Sequence, residues 1–259
     1  MQPMLEVSNL HKNFGGVKAI DDLSFSVEPG EICAIIGPNG SGKTTSINLI
    51  TGVLEPDSGD IKLKGTSLKG VPRHKRARLG ITRTFQNLRL FNTLSVLDHV
   101  MAGRFCRSDA SFMSYSLLTK AARTENAANV ARSIELLELV GLKGKEHLAA
   151  ASLPYGQRRQ LEIARALATD PCLLLLDEPA AGMSSGEIND LIDLIFRIQA
   201  MGITVVFIEH RMPVVMTAAD KIVVLNYGRN IAQGNAEEIQ ANTQVIEAYL
   251  GSAYKRELN

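Results

Sequence analysis

The first part of the chain alternates short apolar runs with turn residues. This pattern predicts strands over residues 5–8, 23–27 and 32–36. A dense turn signal, Glu-Pro-Asp-Ser-Gly at residues 55–59, precedes an alternating stretch at residues 61–64. That stretch predicts one more strand, in an exposed hairpin. The chain is therefore expected to begin with a β-rich region.

The spacing of apolar residues changes between about residues 92 and 150, where they recur three or four positions apart, as in helices. Two fully apolar runs follow, at residues 173–176 and 204–208, and the periodic stretch at 187–200 lies between them. Such runs are typical of strands that are buried on both faces. The pattern predicts an α/β fold in which helices cover a parallel sheet.

Composition and charge narrow the function classes. The chain has 259 residues, 45% of them hydrophobic, and a net charge of +1, so it lacks the basic excess of proteins that bind nucleic acid in bulk. Its longest apolar runs, at 172–176 and 203–208, are far shorter than the roughly 18 to 20 residues of a spanning helix. The first 12 residues show no secretory signal, and the three cysteines lack CxxC spacing, which fits a reducing compartment. Cys33 and Cys172 are expected to be buried core residues.

Residues 37–44, Gly-Pro-Asn-Gly-Ser-Gly-Lys-Thr, match the phosphate-loop pattern GxxxxGK[ST]. They follow an apolar strand and precede a stretch that can form a helix. Glycines let the backbone approach an anion closely, and the helix N-terminus adds a positive end. Lys43 supplies a charge for the β- and γ-phosphates, and the Thr44 hydroxyl is placed to ligate Mg²⁺. The nucleotide-binding residues predicted here are Gly37, Pro38, Asn39, Gly40, Ser41, Gly42, Lys43, Thr44 and Thr45.

Two carboxylates, Asp177 and Glu178, end the apolar run at 173–176. Ligands bind at the carboxyl ends of strands in open α/β sheets. Asp177 is placed to hold Mg²⁺, and Glu178 can polarise a water for attack on the γ-phosphate. The alternative, two surface acids at a solvated strand end, loses its weight once the phosphate loop is present.

Residues 152–167, Ser-Leu-Pro-Tyr-Gly-Gln-Arg-Arg-Gln-Leu-Glu-Ile-Ala-Arg-Ala-Leu, resemble the signature segment of ABC-type ATPases. Gln86 is similar to the glutamine of that family's Q-loop, His210 to its switch histidine, and Phe14 to the aromatic that stacks on adenine. Softer segments, including 82–91, 178–182 and the ending at 248–251, resemble the ATP-binding subunits of branched-chain amino-acid importers.

The resemblance implies a P-loop NTPase fold: a RecA-like parallel sheet core, an N-terminal antiparallel β subdomain and an inserted helical subdomain. It also implies one ABC ATPase domain over residues 1–259, divided into 1–91, 92–152, 153–226 and 227–259. ATP and Mg²⁺ are the implied cofactors. The implied catalytic residues are Glu178, His210 and Gln86, and the implied metal ligands are Thr44, Gln86 and Asp177. The residues implied to meet the partner's nucleotide are Leu153, Pro154, Tyr155, Gly156 and Gln157.

The resemblance further implies a peripheral subunit on the cytoplasmic face of the cell (inner) membrane. Its partners would be membrane permease subunits, a second ATPase subunit in a homo- or heterodimer, and, indirectly, a periplasmic or extracellular solute-binding protein. No nucleic-acid partner is expected. The permease groove maps to about residues 86–102, where Asn87, Leu88, Leu90 and Phe91 form either an apolar surface or part of the core.

Several alternatives stay open. The solute is expected to be branched-chain amino acids, with urea, an amide or another solute as the runner-up, and a soluble ABC ATPase without a transport role is the less favoured class. A small-molecule kinase would not explain Gln86, the signature segment and His210 together. For Phe14 the alternative is a core residue of the strand-rich region, but its position in the family pattern decides for stacking on adenine, and it is counted among the nucleotide-binding residues.

The chain departs from the family pattern at two places. Pro154 stands where a serine usually bonds the γ-phosphate, and Tyr155 where a glycine usually sits. A proline at the first position of a helix leaves the following N–H groups able to face an anion. Ser184 stands where many relatives have an aspartate. These departures lead to the hypothesis that the two ATP sites of the assembled pump are unequal.

Overall fold

Two sheets organise the chain. The computed structural model describes residues 2–84, 90–91, 93–107 and 119–249. The strands in these ranges are β1 (Leu5–Phe14), β2 (Val17–Val27), β3 (Ile32–Ile36), β4 (Ser58–Leu63), β5 (Thr66–Ser67), β6 (Ile81–Arg83), β7 (Leu173–Asp177), β8 (Thr204–Ile208), β9 (Lys221–Asn226) and β10 (Arg229–Gly234). The α-helices are α1 (Lys43–Ile50), α2 (Arg73–Arg78), α3 (Val96–Arg104), α4 (Lys120–Leu139), α5 (Tyr155–Leu167), α6 (Ser185–Ala200), α7 (Met212–Ala218) and α8 (Ala236–Gln240).

The larger sheet has the strand order β10-β9-β3-β8-β7-β6. From β9 to β6 the neighbouring strands are parallel, and only β10 is antiparallel, to β9. Every residue of β3, β7 and β8 is buried, as the continuous apolar runs predicted. Because these strands are parallel, the loops after β3, β8, β7 and β6 all leave the same edge of the sheet.

The smaller sheet is antiparallel, with the order β2-β1-β4-β5. The predicted hairpin strand at 61–64 is present as part of β4, but the expectation that it is exposed is wrong. It pairs with β1 on one side and β5 on the other, and Ile61 and Leu63 are buried. Alternation puts these two side chains on the face that packs against the core.

The residues of β3 separate two hydrophobic layers. Cys33 and Ile35 point to the layer shared with the antiparallel sheet and α1. Ile32, Ala34 and Ile36 point to the layer covered by α3 to α7. Successive side chains of a strand face opposite sides, so one apolar strand serves both layers. This sandwich confirms the predicted α/β fold with a parallel core and an N-terminal antiparallel sheet.

Two details refine the sequence analysis. Cys33 is buried as expected, but Cys172 is only half-buried, because it precedes β7 in a turn beside Gly80 rather than lying in the strand. The helical region expected near 92–150 contains α3 and α4, which pack on each other and on α5. The subdomain limits at 91, 152 and 226 stay predictions. No helix in the described part of the chain is long and apolar enough to cross a membrane.

Candidate nucleotide-binding site

The phosphate loop joins β3 to α1. Gly37 has a φ of 149°, and a Cβ there would lie 2.1 Å from the Leu225 carbonyl oxygen. Gly42, the N-cap of α1, has a φ of 103°, and its Cβ would lie 2.6 Å from the Ala19 oxygen. Close approach of neighbouring backbone therefore excludes any side chain at both positions. The start of α1 has no side-chain cap, so its N–H groups are not covered by a side chain of the N-cap residue.

Other residues of this loop hold its shape. The Ser41 N–H donates to the Pro38 carbonyl oxygen at 3.2 Å. The Ser41 carbonyl oxygen accepts from the Gly228 N–H at 3.0 Å. Asn39, Gly40 and Thr44 are exposed, and Thr45 is half-buried. The loop is thus fixed by backbone contacts while its middle and the first turn of α1 face solvent.

Lys43 lies folded over the phosphate loop. Its Nζ donates to the carbonyl oxygens of Gly37 at 2.8 Å and Pro38 at 2.9 Å. Burial lowers the pKa of Lys43, while the nearby charge of Glu178 acts in the opposite direction. The lysine after β3 and the acid after β7 are therefore close enough to interact. An ammonium group at a phosphate loop is suited to a polyphosphate.

The two predicted acids differ in their surroundings. Asp177 is 2% exposed, and its Oδ2 accepts from Arg83 Nη2 at 2.6 Å. The same guanidinium donates to Asn48 Oδ1 of α1 at 2.5 Å. Glu178 is half-buried and has a φ of 47°, a left-handed conformation that is uncommon for a side-chain-bearing residue. Strained backbone of this kind is concentrated at functional sites.

The predicted switch histidine follows β8, next to the acidic strand. His210 is exposed, and its N–H donates to Glu209 Oε2 at 3.1 Å. Gln86 lies outside the described residues. Nearby, Arg83 ends β6 and Thr84 follows it at the same edge of the sheet, where Thr84 Oγ1 accepts from Asp177 N–H at 3.4 Å. The predicted residues Lys43, Asp177, Glu178 and His210 thus share one edge.

Phe14 ends β1 at the hairpin of the antiparallel sheet. Its side chain is 47% exposed, so the alternative that it is a core residue is wrong. Lys12 Nζ lies 5.8 Å from the centroid of its ring and also pairs with Asp57. An exposed aromatic ring can stack on a planar base.

The signature segment opens α5. Pro154 is the N-cap, not the first helical residue as expected, and its ψ of 159° is extended. Proline suits an extended position before a helix because its φ is already near −65°. Leu153 is buried, Gln157 Oε1 accepts from Lys145 Nζ at 2.7 Å, and Tyr155 is 44% exposed.

A carboxylate of the same chain covers the start of α5. Glu187 Oε1 lies 2.2 Å from where a Gly156 Cβ would be, so this carboxylate packs against the start of α5. Glu187 Oε2 accepts from Ser184 N–H at 2.9 Å and Ser184 Oγ–H at 2.8 Å, which completes a capping box at α6. The N–H groups of Tyr155 and Gly156 were expected to face an anion, and the carboxylate of Glu187 lies beside Gly156.

Sequence reasoning gave no role to three residues at this edge: Arg83, Glu187 and Glu209. Each acts on a segment distant in sequence, and a single charged residue carries no spacing signal. Glu209 had one available clue. Like Asp177, it is a charged residue that directly follows a run of buried apolar residues, at 205–208.

Comparison with known proteins gives the family. Residues 20–181 match the family described as ABC transporter, and residues 229–255 match the branched-chain amino acid ATP-binding cassette transporter family. The chain is 41% identical to the high-affinity branched-chain amino acid transport ATP-binding protein BraF of Pseudomonas aeruginosa, over 97% of this chain and 99% of that protein. It is 39% identical to LivG of Escherichia coli K12, with the same coverage.

Solved structures agree. A crystal structure of the ADP conformation of an ATP-binding cassette of an ABC transporter matches with a TM-score of 0.85 and 34% identity, over 97% of this chain and 100% of that chain. A nucleotide-free cassette matches with a TM-score of 0.83 and 33% identity, over 95% and 98%. The resemblance, the P-loop fold and the ATPase class predicted from the motifs are confirmed. The chain belongs to the ATP-binding subunits of ABC transporters.

Proposed function

We propose that this chain hydrolyses ATP to drive the uptake of branched-chain amino acids through a membrane permease. The observation that carries the proposal is the edge where the phosphate loop, the acids after β7 and His210 after β8 meet. The solute is inferred from the names of BraF and LivG and from the family match at residues 229–255. Urea, an amide or another solute is the alternative, because the solute does not touch this chain.

The site residues fit a magnesium nucleotide. Mg²⁺ prefers oxygen ligands and is usually bound by one or two carboxylates together with substrate phosphates. Thr44 offers a hydroxyl, Asp177 a carboxylate and Gln86 an amide oxygen. When bound, the ion would neutralise charge on the β- and γ-phosphates. Arg83 already holds Asp177 Oδ2, so this ion pair fixes the carboxylate at the strand end.

We assign the chemistry to the side chains around the γ-phosphate. Glu178 accepts a proton from the attacking water, while Asp177 serves the metal. His210 and Gln86 are assigned to the γ-phosphate and the attacking water. Lys43 and the phosphate loop bind the phosphates, and Phe14 stacks on adenine.

The permease would dock in a cleft of about 270 Å³ between β6, α3 and α5. Phe91 lines this cleft and is 64% exposed, whereas Leu90 is partly buried against the core. Of the two interpretations of this segment, the apolar surface applies to Phe91 and the core applies to Leu90. Asn87 and Leu88 lie outside the described residues. His99, also in the cleft, fixes the segment because its Nε2 accepts from Phe91 N–H at 2.9 Å.

The working unit would be two ATPase subunits, identical or different, attached to the permease at the cytoplasmic face of the membrane. Each signature segment, from Leu153 to Gln157, would meet the nucleotide of the other subunit. A solute-binding protein outside the cell would act through the permease only.

The test uses a tagged Glu178→Gln chain in its native cell, trapped with Mg-ATP and solubilised gently. A glutamine carbonyl cannot take the proton of water, so we expect ATP to bind and turnover to fall by about 10²- to 10⁴-fold. Polytopic permease subunits and a second ATPase should copurify. The matched control adds Lys43→Ala, which should release the second ATPase subunit because nucleotide is lost.

The solute is then tested by deleting the chain and measuring uptake. Loss of leucine uptake with normal urea and amide uptake supports the proposal. Loss of urea or amide uptake alone would contradict the proposed solute and support the alternative solute. Recovery of ribosomes or DNA instead of permeases would favour the soluble class.

A further inference from the structure

Two loops carry the proposed catalytic side chains Glu178 and His210. They leave the neighbouring parallel strands β7 and β8 at the same edge of the sheet. The Glu178 N–H donates to the Ile208 oxygen at 3.0 Å, and Arg211 Nη1 donates to the Met183 oxygen at 3.1 Å. The loops are therefore tied to each other, and the distance between the two catalytic side chains depends on these ties.

Glu209 forms the most buried of the ties. Its side chain is fully buried, with 0% exposure. Oε1 accepts from Ala180 N–H, in the loop after β7, at 2.8 Å. Oε2 accepts from the N–H groups of His210 at 3.1 Å and Arg211 at 3.2 Å, in the loop after β8. One carboxylate thus binds the backbone two residues after Glu178 and the backbone of His210 itself.

We infer that Glu209 is a positioning residue for ATP hydrolysis: it sets Glu178 and His210 at their working separation. Both of its oxygens act as hydrogen-bond acceptors, one for each loop. A glutamine has the same shape, but its NH₂ group must face either Ala180 N–H or the pair at His210 and Arg211. It can therefore satisfy only one loop, and the other loop is released from a buried contact.

This inference rests on the proposed roles of Glu178 and His210, and it makes a distinct prediction about nucleotide binding. Glu209 hydrogen-bonds no residue of the phosphate loop. Its loss should leave the affinity for ATP unchanged while the attacking water and the γ-phosphate lose their alignment. A misplacement of about 1 Å at a reacting centre costs about a hundredfold in rate.

The experiment compares Glu209→Gln with the wild-type chain in steady-state ATP hydrolysis and in binding of a fluorescent ATP analogue. We expect kcat to fall between about tenfold and a hundredfold, with KM and the analogue's Kd within about twofold of wild type. The control is Glu238→Gln, which removes a carboxylate that accepts the Asn235 N–H at 2.9 Å at the start of α8, the helix after β10. It should keep wild-type kcat. Should Glu209→Gln fail to fold, Glu209→Asp keeps two acceptor oxygens and should show a smaller fall in kcat with the same KM.

A double-mutant cycle separates positioning from general stability. If Glu209 acts through His210, adding Glu209→Gln to His210→Ala should slow turnover by much less than the product of the two single effects. Independent, multiplicative losses would overturn the inference, and so would an unchanged kcat in Glu209→Gln. If Glu178→Gln and His210→Ala themselves leave turnover intact, it is the proposed function that fails, whatever Glu209 does.

Discussion

The N-termini of α1 and α5 are both assigned to phosphate binding, and they differ in the side chains around them. At α1, the N-cap Gly42 has no side chain to cover the N–H groups, and Lys43 adds a positive charge. At α5, Pro154 is the N-cap, and the carboxylate of Glu187 already contacts Gly156. The first terminus is open to an anion from outside, whereas the second has an anion of its own. Binding at α5 must therefore compete with an internal contact.

The largest effect is expected when the positive charge at the start of α1 is removed. Lys43→Ala deletes a charge-assisted phosphate contact worth about 1.5 to 3 kcal/mol, so the Kd for ATP should rise about 10- to 150-fold. Calorimetric titration with Mg-ATP measures it. The matched control is Lys145→Ala, which removes a lysine that donates to Gln157 near the other terminus and should leave this Kd unchanged. Equal affinities in all three proteins would contradict the phosphate-loop assignment.

The two termini also differ in how much of their structure could be predicted from the sequence. The phosphate loop is local: three glycines, a lysine and a threonine within eight residues, between a strand and a helix. The acids after β7 and the buried strands were likewise visible as short patterns. The contact of Glu187 with Gly156 was not, because it joins the starts of two helices, and no spacing rule reports which ones pack together.

The same reasoning applies to other features of the site and fold. Arg83 meets Asp177 across 94 positions, and Glu209 meets Ala180 across 29. Each pair depends on the order of strands in the sheet, which periodicity does not give. The exposure of β4 was misjudged for this reason too, since only the sheet order shows that it lies between β1 and β5.

The second prediction removes the internal anion at α5. Glutamine at the third position of a helix can still complete a capping box, so Glu187→Gln should keep the start of α6 intact while removing the charge beside Gly156. If the signature segment meets the partner's γ-phosphate, ATP-dependent dimers of Glu178→Gln should become about two- to fivefold tighter when Glu187→Gln is added. Analytical ultracentrifugation with Mg-ATP measures the dimer. Weaker dimers would mean that Glu187 supports the phosphate contact instead of competing with it.

A smaller effect is expected from restoring the usual serine at the α5 cap. A serine N-cap contributes about 0.5 to 2 kcal/mol, and losing proline costs about 0.4 to 1 kcal/mol through the unfolded chain, so the Tm should change little. Any change in ATP occupancy or turnover of Pro154→Ser then reports the added hydroxyl. Pro72→Ser is the matched control, since Pro72 is likewise an N-cap without a side-chain bond, at α2. Unchanged occupancy and turnover would sink the hypothesis of unequal ATP sites.

The smallest effect concerns pH and the charge of Glu187. The Ser184 N–H and hydroxyl lower the pKa of Glu187 from its usual 4.5, and the Gly156 N–H acts in the same direction. A carboxyl with a depressed pKa in the folded state stabilises the fold above its unfolded pKa, and this contribution is lost as pH falls through the folded value. The Tm of the wild-type chain should therefore drop more between pH 7 and about pH 3.5 than that of Glu187→Gln. The first turn of α1 has no acidic residue, so no carboxylate there titrates against Lys43. The difference in Tm between the two proteins should therefore be the same when both also carry Lys43→Ala. Equal acid-induced drops would show that the capping geometry, not the carboxylate charge, stabilises the start of α6 and its contact with α5.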